Sequence, residues 1–267
     1  MNSFSRLLVG ATIVAMCALP AHAASFKQAK KHYAAADYSA AITELQPLAK
    51  AGNANAINLL GEMYLQGVGV NIDIALAKTY FEAGARVGHL AALANLGDIL
   101  NREYKVELIT LEPLAKSGNA QAQNRLGRMY EFGQGHNINP QAAYTWYKKA
   151  ADQGHMDGRM NLARAHNFGL GTEQDFVRAE AGYLANAKAG HIDSMFFLGT
   201  MHFAQVSQAG LDSDRQAYAW LKVAAQNGHA TAAAMVTRLT IKLGDNLSQG
   251  DALYQEYATS YTSTAVN

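Results

Sequence analysis

Apolar residues along this chain recur at helical spacing, and the arrangement itself recurs. A glycine signature falls at Gly52, Gly88, Gly118, Gly154, Gly190 and Gly228, at intervals of 36, 30, 36, 36 and 38 residues. Each glycine is followed by Asn or His, namely Asn53, His89, Asn119, His155, His191 and His229, and an alanine stands three positions ahead of every one. Counting offsets from the signature glycine, offset 8 carries Leu60, Leu96, Leu126, Leu162, Leu198 and Val236. Offset 9 is Gly61, Gly97, Gly127 and Gly199, with Ala163 and Thr237 in the other two periods. Offsets 4, 8 and 12 read Ala56/Leu60/Tyr64 and Ala122/Leu126/Tyr130, an apolar stripe on one face of a helix. A second amphipathic stretch closes each period, with Trp146-Tyr147 before Ala150-Ala151 and Trp220-Leu221 before Ala224-Ala225. Between the two stretches lies Gly-x-Gly at Gly67/Gly69, Gly133/Gly135 and Gly169/Gly171, where glycine permits positive φ and ends a helix. The pattern predicts two helices per period.

Departures from the pattern predict local differences. The second period is six residues short and lacks its Gly-x-Gly, which predicts a tighter turn near Asn101–Tyr104; the fifth has an altered loop, Ala204–Asp214. The segments starting at Tyr38 and Tyr104 are near-duplicates, and both place a proline, Pro47 and Pro113, inside the second helix, predicting a kink. Residues 25–36 read as half a repeat, about 38–245 as the repeats, and 247–261 as a more polar helix that caps the last apolar face. Residues 24–267 are therefore expected to form one solenoid domain without a linker.

The period of 36 and the order Gly-Asn/His, Leu-Gly-x-x-Tyr, Gly-x-Gly and an aromatic pair before Ala-Ala resemble the Sel-1-like repeat family, relatives of tetratricopeptide repeats. The stretches 52–69 and 118–135 carry that resemblance almost in full. It implies an all-α fold, a right-handed α-α superhelix of paired antiparallel helices. It also implies a scaffold that binds a protein or peptide. The repeated residues are the ones that pack helix on helix, so they speak to the fold more than to the partner.

The N-terminus adds a destination. MNSFSR carries one positive charge, residues 7–19 are apolar, and Ala21-His22-Ala23 follows Pro20, the pattern of a secretory signal peptide cleaved after Ala23. Thirteen apolar residues fall short of the ~20 that span a bilayer. A periplasmic or secreted location is the expectation, with no stable membrane insertion. Removal of residues 1–23 takes away Arg6 and Cys17, the only cysteine, and leaves 21 basic and 21 acidic side chains. Such a chain holds together by packing without disulfides. Its neutral balance argues against nucleic acid, which demands clustered Lys and Arg.

Nine histidines raise the question of metal or catalysis. His89, His155, His191 and His229 share one repeat position, and helices in contact lie ~8–10 Å apart, whereas zinc ligands sit ~2 Å from the ion. These histidines are read as helix-start hydrogen-bonding residues. His166 and His202, at offset 12, are read as half-buried substitutes for the aromatic found there in other periods. No nucleophile elbow, metalloprotease pattern or phosphate loop appears, and no cofactor is called for. The expected function is non-catalytic, in envelope assembly, signalling or host interaction. The alternative is an envelope hydrolase or ligand-binding enzyme acting on β-lactam or peptidoglycan-like substrates, an expectation that the resemblance implies through cysteine-rich Sel-1-like proteins that are β-lactam-binding enzymes.

Offsets 3, 6, 10 and 13 lie opposite the offset-8 leucine at ~100° per residue, the face that lines the concave groove in tetratricopeptide-type stacking. The groove residues singled out are Asn58, Glu62, Asp98, Asn124, Arg128, Arg164, Phe196, Phe203 and Arg238. Offset 10 runs from acidic (Glu62, Asp98) to basic (Arg128, Arg164, Arg238), a polarity that would orient an extended peptide. Asn124 with Arg128 and Arg164 would hold a carboxylate.

Overall fold

The computed structural model describes residues 25–205 and 212–261, and all their regular elements are helical. In chain order these are α1 (Phe26–Ala34), α2 (Tyr38–Lys50), α3 (Ala54–Gln66), α4 (Ile74–Arg86), α5 (Leu90–Lys116), α6 (Ala120–Phe132) and α7 (Pro140–Asp152). There follow α8 (Met156–Phe168), α9 (Phe176–Lys188), α10 (Ile192–Phe203), α11 (Ser213–Gln226), α12 (Ala232–Leu243), a 3-10 turn (Gly244–Asn246) and α13 (Leu247–Tyr261). The all-α class and the packing of consecutive helices agree with the repeat pattern. The signal-peptide segment and most of the altered fifth loop lie outside the described residues.

The chain forms two compact units, one ending at Leu100 and the other starting at Asn101. In the first unit, Ala29, Leu45, Ala56, Leu60 and Met63 form a core shared by α1, α2 and α3. A second cluster joins Ala77 and Phe81 of α4 to Ala92 and Ile99 of α5. In the second unit, Leu108 and Ala115 of α5 pack on Ala122, Leu126 and Met129 of α6. A larger core runs through α8 to α13. At its end Trp220 stacks on Tyr257 and Tyr261 of α13, at centroid distances of 4.3 and 5.5 Å.

Local chemistry explains the helix ends. The Asn53 and Asn119 side chains accept from the N–H of Ala56 and Ala122, and His155 and His191 do the same through Nδ1, accepting from Gly158 and Ser194. The shared histidine position is thus a helix cap at His89, His155 and His191, each such bond stabilising by about 1 kcal/mol, whereas α12 starts at Ala232 and His229 Nδ1 makes no cap bond. Asp37, Asp73, Asn139 and Asp175 cap the second helices in the same way. Gly67, Gly133 and Gly169 end α3, α6 and α8 in the left-handed conformation.

The offset-9 glycines have a packing role. A Cβ on Gly61 would lie 2.6 Å from the Phe81 ring, one on Gly127 would lie 2.6 Å from Tyr147, and one on Gly199 would lie 2.7 Å from Leu221. Each glycine is the seat for a large side chain of the facing helix. Ala163 departs from the pattern and is answered across the seam, because Gly182 of α9 leaves room for its methyl group.

Three expectations need correction. No turn forms near Asn101–Tyr104, and α5 runs unbroken for 27 residues. The arithmetic forces this. α6 and α7 take 13 residues each and are joined by the turn 133–139, whereas matching the same helices to the shorter second period leaves only Glu103 between them. An antiparallel helix pair needs about two to five connecting residues. The invariant depth is also not at offset 8. Leu60, Leu126 and Leu198 are buried there, but Leu96, Leu162 and Val236 are only half-buried. Offsets 4 and 11 are buried in all six periods, as in Ala56 with Met63 and Ala232 with Leu239. Finally, His166 and His202 are buried rather than half-buried.

Candidate partner-binding cleft

The singled-out residues fall into separate groups. In the first unit, Asn58 of α3 is buried, and its Nδ2 donates to Glu62 Oε1 at 2.8 Å. Asn95 of α5 donates to both, at 3.3 Å to Asn58 Oδ1 and 3.4 Å to Glu62 Oε1. Glu62 is therefore an acceptor already served by two amides. Asp98 is exposed one turn further along α5.

In the second unit the same wiring recurs with different charges. Asn161 of α8 donates to Asn124 Oδ1 of α6 at 2.8 Å, and both amides are buried. The phase argument placed Asn58 and Asn124 on an open face, but the next period covers each through an offset-7 asparagine. Arg164 pairs with Glu131 at 2.5 Å, with side chains only 18% and 11% exposed, and Tyr147 Oη donates to the same carboxylate oxygen. Burial is the largest single influence and works against the Arg164 charge, yet the hydrogen bond to Glu131 and the attractions of Glu131, Tyr147 and Tyr183 together outweigh it and raise the guanidinium pKa. Burial, and then the hydrogen bond to Glu131, pushes the Tyr147 phenol far up. The cation at Arg164 is thus internally neutralised, and the joint Arg128–Arg164 carboxylate clamp is not formed. Arg128 is exposed and has no ion-pair partner among the described residues.

These groups border a cleft of about 390 Å³ across α6, α8 and α10. Asn124, Arg128 and Phe132 come from α6; Asp157, Met160, Asn161 and Arg164 come from α8; Asp193 and Phe197 come from α10. Asp157 accepts from His191 Nε2 at 3.2 Å, and Asp193 lies 3.8 Å from His229 Nε2, so these two histidines reach back to the preceding period. The cleft joins one free cation and two partly engaged carboxylates to an apolar strip of Phe132, Met160 and Phe197. Chemically it can hold an extended chain, anchoring a carboxylate on Arg128 and an apolar side chain on the strip. Among the described residues no group of three His, Cys, Asp or Glu side chains is placed to hold a metal ion.

Phe196, Phe203 and Arg238 lie apart from this cleft. Phe196 stacks on the His229 ring at 4.0 Å, and the Arg238 guanidinium lies 5.5 Å from the centroid of Phe203, so neither aromatic is a bare wet-face anchor. Sequence reasoning passed over Asn161, Phe132 and Phe197. Asn95 and Asn161 share offset 7, which was the available signal; nothing comparable marked the two phenylalanines.

Two solved structures are similar to this chain. A Sel1 repeat protein from Oxalobacter formigenes is 25% identical over 87% of this chain and 96% of its own, with a TM-score of 0.49. A protective antigen of uropathogenic Escherichia coli strains, displaying an SLR fold, is 21% identical over 89% of this chain, with a TM-score of 0.38; the match spans 61% of its length. The family model described as Sel1 repeat matches residues 54–89, 120–155, 157–181 and 192–229, stopping before α5 and resuming after it. With just over half of its length so matched, and with glycine seats and helix caps repeating in the same register, the chain belongs to the Sel1 repeat family.

Proposed function

We propose that this chain is an exported, non-catalytic scaffold that captures an extended protein or peptide segment in the cleft across α6, α8 and α10. The observation that carries the reading is Arg128, an exposed guanidinium without an ion-pair partner among the described residues, beside the Asn124 amide and the Met160–Phe197 strip. Arg164 and Glu131 act as a support that ties α8 to α6. A charge-assisted bond to a partner carboxylate stabilises by about 1.5–3 kcal/mol, enough to select among segments of similar shape.

Export to the periplasm or beyond is part of this proposal and rests on the pattern of residues 1–23. Among the described residues no helix is long and apolar enough to cross a membrane. A role in envelope assembly, signalling or host interaction follows from that location. The test is a library of ten-residue peptides with free C-terminal carboxylates, screened against the purified chain. Arg128→Glu should weaken the binders at least tenfold with the helical circular dichroism unchanged. An absence of binders, or binding indifferent to Arg128, overturns the reading. So does turnover of nitrocefin or peptidoglycan that is lost on substituting a cleft residue.

A further inference from the structure

The cleft across α6, α8 and α10 crosses the first helices of three successive periods on a diagonal. α6 lines it from offset 6 to offset 14, α8 from offset 3 to offset 10, and α10 at offsets 3 and 7. Its charges are sorted along that diagonal. Arg128 stands at the α6 end, whereas Asp157 and Asp193 stand in the first turns of α8 and α10, each followed one turn later by an apolar side chain, Met160 or Phe197. Arg164 is neutralised by Glu131, so two carboxylates face a single unmatched cation.

The fold does not call for these two negative charges. In the first unit a neutral group makes the matching contact, Asn55 Oδ1 lying 3.2 Å from His89 Nε2. Asp157 and Asp193 hold the same offset, and each meets its histidine through Oδ1, leaving Oδ2 without a hydrogen bond among the described residues. The histidines are nearly covered, at 14% and 17% exposed, while the aspartates are 59% and 57% exposed. A ligand that supplied only a carboxylate would satisfy Arg128 and leave this end of the cleft unmatched.

The separation of the two ends sets a spacing. Seven positions of helix rise between Arg128 and Asp157 give about 10 Å, and one helix step adds ~8–10 Å across, so the two lie roughly 14 Å apart. Asp193, one helix further, lies at roughly 20 Å by the same geometry. An extended chain at ~3.3 Å per residue covers these distances in about four to six residues. Resting on the reading of this cleft as a peptide site, we propose that its occupant is a dipolar segment. One carboxylate binds Arg128, a Lys or Arg side chain about four to six residues away binds Asp157 and Asp193, and an apolar side chain between them lies on Met160 and Phe197.

The library of ten-residue peptides with free C-terminal carboxylates tests this on the full chain. Among binders that need Arg128, Lys or Arg should be enriched about four to six positions before the C-terminus. Asp157→Asn with Asp193→Asn keeps the kind of acceptor that Asn55 offers His89, so the helical circular dichroism should be unchanged. It should weaken those binders about tenfold, the sum of two part-exposed ion pairs. The loss should vanish for the same peptides with Gln in place of the basic residue. Asp157→Lys with Asp193→Lys should turn the enrichment toward Asp and Glu. Arg128-dependent binders without a basic residue in that window, or indifferent to the asparagine changes, overturn the dipolar assignment and leave the peptide cleft standing. An absence of binders, or binders indifferent to Arg128, overturns both.

Discussion

The pair α6/α7 and the single helix α5 use nearly the same residues to opposite ends. Both have a glycine at offset 9, a small residue at offset 4 and a large apolar residue at offset 11. α6 turns back through seven residues, and Tyr147 lands on Gly127; α5 has one residue at that place, and Gly97 faces open space. The difference teaches that the core pattern permits a helix pair but does not create one. The connection does. Six missing residues convert an internal seam into an external surface.

The comparison can be tested at several depths. Removing Glu131, which ties α6 to α8 and accepts from Tyr147, strands a largely buried guanidinium. Glu131→Ala should lower unfolding stability by about 3 kcal/mol, read from the denaturant midpoint. Glu107→Ala removes the pair that ties α5 to Arg125 of α6, where the groups are 36% and 29% exposed. The loss there should stay below about 1 kcal/mol. Equal losses at the two sites would erase the contrast.

Next in size is the glycine seat. Gly127→Ala drives a methyl group into the Tyr147 ring and should cost about 2 kcal/mol. Gly97→Ala meets nothing within 4 Å. It should stabilise by about 0.5–1 kcal/mol through helix propensity alone. Thermal unfolding of the two variants against their parents decides this.

The smallest expected effect is a pH dependence carried by α8 and α10, which bury His166 and His202 at offset 12, where α5 has Leu100. Burial lowers both pKa values below the ordinary 6.5. The unfolded chain therefore takes up protons first as pH falls. Stability should be fully present above about pH 6.5 and decline as pH drops from there toward the lowered folded values. Melting curves between pH 7 and 5 should show this slope, and His166→Phe with His202→Phe should flatten it.

Much of this was legible in the chain. The registered glycines marked the helix pairs, the Gly-x-Gly turns marked where α3, α6 and α8 end, and the shared histidines marked helix starts. What escaped notice depended on neighbours rather than on phase. A helical projection shows which residues share a face, but not which neighbouring helix covers it. That is why phase alone gives the offset-8 residues equal depth and leaves Asn58 and Asn124 on an open face. The partnership of Arg164 with Glu131 joins residues 33 apart, beyond the reach of any local pattern. The short second period was visible as a deletion. Its outcome was misread because a tight turn was assumed where too few residues remain for any turn.

The exchange at Ala163 and Gly182 bears on how such a chain can be recombined. In other periods the first helix sets a glycine beneath the large side chain of the second. Here the first helix carries Ala163, Tyr183 keeps the place that aligns with Phe81 and Tyr147, and room for the extra methyl group comes one position earlier, where Gly182 aligns with Tyr80 and Trp146. A first helix bearing Ala163, spliced before a second helix with a side chain where α9 has Gly182, would bring its methyl group to 2.9 Å from that residue's Cβ. Crossovers that cut between periods leave every seam intact, whereas crossovers at the Gly-x-Gly turn separate matched halves. The heritable module of this protein is the helix pair with its own seam, and chimaeras built from whole pairs should fold where those built from half pairs do not.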